Sequence, residues 1–133
     1  MDITQDDLLI LHHLRAAWIG GAAQDASATS LAACPGRAEG RVAAWSLGKA
    51  AGVLAYAARR PLVIGQGLAP SADERQALRT ARALAANDWR AAEDAALWLV
   101  RREAVPALAQ AFAPAACALH GRAAPRRRNA ASA

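Results

Sequence analysis

Cysteine is nearly absent: Cys34 and Cys117 stand alone in 133 residues, with no Cys-x-x-Cys spacing. That excludes a disulfide framework and a cysteine-rich metal site, and it makes a reducing cytoplasm the expected compartment. Large apolar side chains are scarce too. The chain is 55% hydrophobic, yet 40 of those residues are alanine and only 30 are Leu, Ile, Val, Phe, Trp or Tyr. A core drawn from this set is thin, or closely packed through small side chains. Long apolar runs are missing as well, since the best, residues 42–58, is mostly Ala and Gly and contains Ser46 and Lys49. It falls short of a membrane span. The opening "MDITQDD" is acidic where a secretory signal carries positive charge.

What is abundant is alanine, the best helix former and a poor strand former, so the composition points to an all-α chain. The length suits one domain. The formal charge of +5 is uneven, because Arg122, Arg126, Arg127 and Arg128 all follow Gly121. Twelve basic and eleven acidic residues precede them, a net of +1. We therefore expect a nearly neutral helical domain over 1–121 and a disordered basic tail over 122–133, which has no apolar face to bury.

Punctuation predicts a compact bundle of four to five short helices. Thr4-x-x-Asp7 caps a first helix that runs to Gly20-Gly21, with Leu11, Leu14 and Trp18 on one face. Residues 22–40 lack periodicity and read as a loop with one short helical turn. A second helix over 39–60 carries Val42, Trp45, Val53 and Tyr56 on one side. Its other side, Ala44, Gly48, Ala51, Gly52 and Ala55, is small enough for a neighbouring helix to approach closely. Ser71-x-x-Glu74 is a capping box for a third helix to about residue 86. After Asn87-Asp88 a fourth covers "WRAAEDAALWLVRRE", and a fifth opens at Pro106, keeps Leu108, Phe112, Ala115 and Leu119 in phase, and ends at Gly121. Pro114 is expected to kink or divide it.

The stretch "RRPLVIGQGLAP", residues 59–70, imitates a nucleotide-binding turn: an apolar run, Gly65-x-Gly67, then a helix. A dinucleotide fingerprint also needs a small third residue and further βαβ units, whereas Pro70 stands third and no second strand is apparent. Asp73 and Glu74 occupy the helix end where a phosphate would go. A connector between helices is the better reading, with Leu62, Val63 and Ile64 plugging the core in extended form.

An N-terminal helix with "LL" and "R", an Ala-rich helix ending "ARRPLV", and "ADERQAL" opening the next helix resemble a family of small, uncharacterised alphaproteobacterial domains of unknown function. The likeness spans residues 8–115 and implies a helical bacterial fold with no known activity. That family's pattern has consecutive cysteines where this chain has Ile64-Gly65-Gln66-Gly67, which removes a thiol role here.

No catalytic, cofactor-binding or metal-ligating constellation is visible. His12 and His13 point about 100° apart on a helix and cannot jointly hold one ion. Metal or redox chemistry would require one of them to meet Cys34, Cys117 or His120 in space. Cys34 has no histidine near it in sequence, and Cys117 reads as a small core residue. Glu93 and Asp94 with Arg90 read as a solvated face. Trp18, Trp45, Trp89 and Trp98 are the expected space-fillers of so thin a core, and an exposed Trp89 or Trp98 would mark a partner surface. The leading expectation is a non-enzymatic helical interaction or regulatory module, binding a protein partner or a second copy. A nucleic-acid accessory protein using Arg126, Arg127 and Arg128, supported by Arg101 and Arg102, is the alternative. A metal-binding or redox protein using His12 or His13 with a cysteine comes third.

Overall fold

Alanine-rich sequence does form helix almost throughout. The computed structural model describes residues 2–33 and 37–120. Six α-helices appear in that range: α1 (Gln5–Ile19), α2 (Gly21–Ala33), α3 (Arg37–Ala57), α4 (Ala72–Ala85), α5 (Trp89–Ala96) and α6 (Val105–Leu119). Among the described residues there is no strand, only an isolated antiparallel bridge between Ala58 and Val100. The expected all-α class holds, with one helix more than four to five. The tail over 122–133 and Cys34 lie outside the described residues.

The extra helix is α2, which replaces the expected loop. Its signal was faint because Leu31 is the one large apolar residue in "GAAQDASATSLAA". Alanine propensity and packing against α1 and α3 supply what periodicity does not. The chain reverses from α1 into α2 at Gly20 and Gly21, both at positive φ (76° and 58°), a conformation that costs other residues a steric clash.

Both predicted capping boxes form. The Thr4 hydroxyl accepts from the Asp7 amide while the Asp7 carboxylate accepts from the Thr4 amide, and Ser71 and Glu74 repeat the exchange at α4.

The core lies around α3 and α6, the most extensively packed pair. Phe112, Leu108 and Leu119 of α6, with Leu47 of α3 and Leu78 of α4, are the large fully buried side chains there. Ala43, Ala50, Ala109, Ala115 and Ala116 are equally buried between them, so methyl-sized contacts close the space. The tryptophans are not the space-fillers: Trp45, Trp89 and Trp98 are exposed and Trp18 is only partly buried. On α3, Val42, Trp45 and Tyr56 of the bulky side face outward while Val53 packs partly on the core; of the small side expected against a neighbour, Ala51 is buried but Gly52 and Ala55 are exposed.

α5 stops at Ala96 rather than continuing through Glu103. Leu97-Trp98-Leu99-Val100 puts four bulky residues in succession, which one helical stripe cannot all bury. The chain leaves the helix, buries Leu99 and Val100, and pairs with the end of α3 through Arg59 N to Leu99 O and Arg101 N to Ala57 O, both 3.0 Å.

Pro114 does not divide α6. Without an N–H it cannot complete the helical ladder, and the buried Ser46 hydroxyl from α3 enters the next rung. Ser46 donates to Ala111 O (2.5 Å) and accepts from Ala115 N (2.9 Å), standing between the two groups that a straight helix would bond directly. Ser46→Ala is expected to lower stability by about 1–3 kcal/mol by stranding that pair. Urea unfolding reads it; an unchanged midpoint would mean that Ala115 and Ala111 close the rung alone.

Candidate functional site

The glycine connector is already filled, by the chain itself. Glu74, buried at the start of α4, places Oε1 in the turn, where it accepts from Gly65 N (3.0 Å), Ser71 N (2.9 Å) and Arg15 Nη2 (2.8 Å). Its Oε2 accepts from Arg15 Nε at 2.6 Å. A Cβ at Gly65 would stand 2.8 Å from Glu74 Oε1, so glycine is what lets the backbone close on the carboxylate. Asp73 does the same one residue earlier, accepting from Val63 N (2.7 Å) and from both terminal nitrogens of Arg60 (3.0 and 2.6 Å). Two carboxylates thus take the donors that a phosphate loop would offer. Burial pushes the Glu74 carboxyl up, but Arg15 and the two amides outweigh it and hold it low. Arg60, followed by the Val63 amide, holds Asp73 low against its burial. The expected apolar plug is only half formed: Leu62 packs on the core, while Val63 turns outward.

A third buried carboxylate, Asp7, ties three helices together. Arg82 of α4 donates to it through Nε (3.1 Å) and Nη2, and His120 at the end of α6 lies 3.0 Å from its Oδ1. Burial raises the Asp7 carboxyl, but Arg82, Thr4 and His120 bring it down to about 2. His120 is therefore a partner of Asp7 and is not gathered with His12, His13 or Cys117.

His13 is fully committed inside. Its Nδ1 and Ser27 Oγ share a 2.5 Å hydrogen bond between α1 and α2. Desolvation, then the neighbouring His12, lowers its pKa to about 4. A serine on a histidine is half of a nucleophilic pair. Among the described residues no carboxylate orients the imidazole, and Ser27 sits inside α2, away from free N–H groups of a helix end. Held near 4, the ring is also a weak base. His12 is exposed beside a cleft of about 450 Å³ between α1, α2 and the connector, walled by Leu8, Leu11, Ile19 and Leu68.

The remaining candidates are dispersed. Cys117 is exposed, correcting its placement in the core, and its sulfur lies 3.9 Å from Leu84 O. Among the described residues no three His, Cys, Asp or Glu side chains converge on a metal position. Glu93, Asp94 and Arg90 are exposed. Arg101 pairs with Glu103 at 3.3 Å, and Arg102 is exposed. Trp89 is exposed, with Nε1 donating to Asn87 Oδ1 (3.2 Å), and Trp98 stands out beside the Ala58–Val100 bridge. Arg126, Arg127 and Arg128 lie outside the described residues. No described helix is long and apolar enough to cross a membrane.

What the fold does assemble is a continuous outer stripe on α3. Val42, Trp45, Lys49, Gly52 and Tyr56 are all exposed and recur three and four residues apart, within an arc of about 80° over a rise of about 21 Å. Trp45 is 61% and Tyr56 85% exposed, and Lys49 Nζ stands 5.5 Å from the centre of the Trp45 ring. A cavity of about 230 Å³, lined by Gln24, Asp25, Ala28 and Ala44, opens next to Trp45 between α2 and α3. The sequence grouped Val42, Trp45 and Tyr56 correctly but put Val53 with them and Gly52 on the opposite side, whereas Gly52 lies on the exposed stripe and Val53 packs partly on the core. No protein-family model, no curated protein and no solved structure matches this chain.

Proposed function

We propose that this chain is a non-enzymatic, cytoplasmic interaction module that presents the outer face of α3 to a protein partner. One observation carries the reading: Val42, Trp45 and Tyr56 of α3 stand in solvent while the core closes without them. Exposed aromatic residues on a rigid element are the side chains that most often anchor interfaces. α3 is also the longest helix, held on its inner side by α6 and α2, so the stripe is rigid before any partner arrives. Asp7 and Glu74 tie α1, α4 and the end of α6 together beside it.

The test is site-specific photocrosslinking of the full chain in its source cell. A benzophenone side chain at position 45 or 56 is expected to give discrete protein adducts, and one at the exposed Arg79 position of α4 none. Absence of adducts at 45 and 56, or the same adducts from all three positions, would overturn the proposal.

A further inference from the structure

Resting on that reading, we infer that the partner surface is an acidic amphipathic helix laid along α3. The stripe has the spacing of one half of a helix pair, with residues at i, i+3, i+7, i+10 and i+14. Gly52 has nothing within 4 Å of the position its Cβ would take, which leaves a gap for a side chain of an incoming helix. The charged side chains described on α3, Arg41 and Lys49, are cationic. Arg41 flanks it, Lys49 lies within it, Arg59 extends it beyond the end of α3, and residues 40–57 contain no carboxylate. Asp25 of α2, at the cavity beside Trp45, is an acidic group bordering it.

That pattern selects among occupants. A second copy of α3 would set Arg41, Lys49 and Arg59 against their own kind in either orientation, which like-charge repulsion disfavours. The chain's own basic tail meets the same repulsion. Nucleic acid would match the sign but not the rest: Lys49 is drawn over Trp45, Arg59 donates to Leu97 O at 2.7 Å, and Val42 and Gly52 offer nothing to a phosphate. A helix with apolar a and d positions and glutamates at e and g satisfies both the apolar line and its cationic border.

The probe is a labelled three-heptad peptide with Leu and Ala at a and d and Glu at e and g, monomeric at the concentrations used, read by fluorescence anisotropy against the full chain. It is expected to bind about tenfold tighter than the same peptide with Lys at e and g, a difference that shrinks as salt rises. Trp45→Ser with Tyr56→Ser should abolish binding, while Arg41→Glu with Lys49→Glu should reverse the preference; circular dichroism verifies that both variants stay folded. Equal affinity for the two peptides overturns the inference. So does tighter binding of single-stranded oligothymidylate through Trp45 and Tyr56, or a concentration-dependent dimer abolished by the same substitutions. If neither peptide binds while crosslinks at 45 and 56 persist, the acidic helix is wrong and the α3 face remains an interaction surface. Loss of those crosslinks as well removes both.

Discussion

Glu74→Ala is expected to destabilise the fold by about 3–5 kcal/mol, among the largest effects of any single substitution in this chain. The carboxylate collects four hydrogen bonds from Gly65, Ser71 and Arg15, so its removal strands two backbone amides and a guanidinium that is mostly withdrawn from water. It also unfastens the connector from α4, because Arg15 reaches the Gly67 carbonyl through the same cluster. Glu74→Gln keeps one acceptor oxygen and should fall between the two. A double-mutant cycle with Arg15→Met separates the pair from the amides: the double variant should lose clearly less than the sum of the singles. Simple additivity in chemical unfolding would show that the two groups are not coupled. Because the Glu74 pKa is lowered in the fold, its contribution is fully present above the ordinary glutamate range and is lost as pH falls through the lowered value.

Mild acid should destabilise the protein by roughly 2–3 kcal/mol through His13 alone. Burial and the adjacent His12 bring its pKa from 6.5 to about 4. The unfolded chain therefore takes up a proton that the folded chain refuses, and stability falls as pH drops from about 6.5 towards about 4. Above that window the ring is neutral in both states and contributes no slope. The faces around His13 hold His12, Ser27 and, across the shared cavity, Asp25. Asp7 acts in a separate window: its folded pKa of about 2 lies below the ordinary 3.8, so its stabilisation is lost only below about pH 4. His13→Asn, which can keep a hydrogen bond to Ser27, should flatten the upper window and leave the lower one. An unchanged slope between pH 6.5 and 4.5 in that variant would assign the acid sensitivity elsewhere.

Local rules were legible where the signal is local. Thr4 with Asp7 and Ser71 with Glu74 announced two helix starts because a capping box lies within four residues. The acidic pair after Gly65-x-Gly67 argued against phosphate at that turn, and the geometry adds why Gly65 is there. α2 escaped because a helix of alanine and small polar residues has almost no amphipathic contrast to read. The direction of α3 escaped for a related reason. Burying Trp45 looked favourable in so thin a core, but α6 offers a surface of alanines with Phe112, against which the flat Ala43, Leu47, Ala50 and Leu54 side packs. Asp7 with Arg82 and His120, His13 with Ser27, and Ser46 with α6 join residues far apart in the chain, so no spacing rule reveals them.

α3 wears Val42, Trp45 and Tyr56 outside the core. Urea unfolding of the triple variant Val42→Ser, Trp45→Ser, Tyr56→Ser measures this directly. The exposed stripe predicts a folded protein within about 1 kcal/mol of the parent. A loss of about 3 kcal/mol or more, the signature of an emptied core, would contradict it.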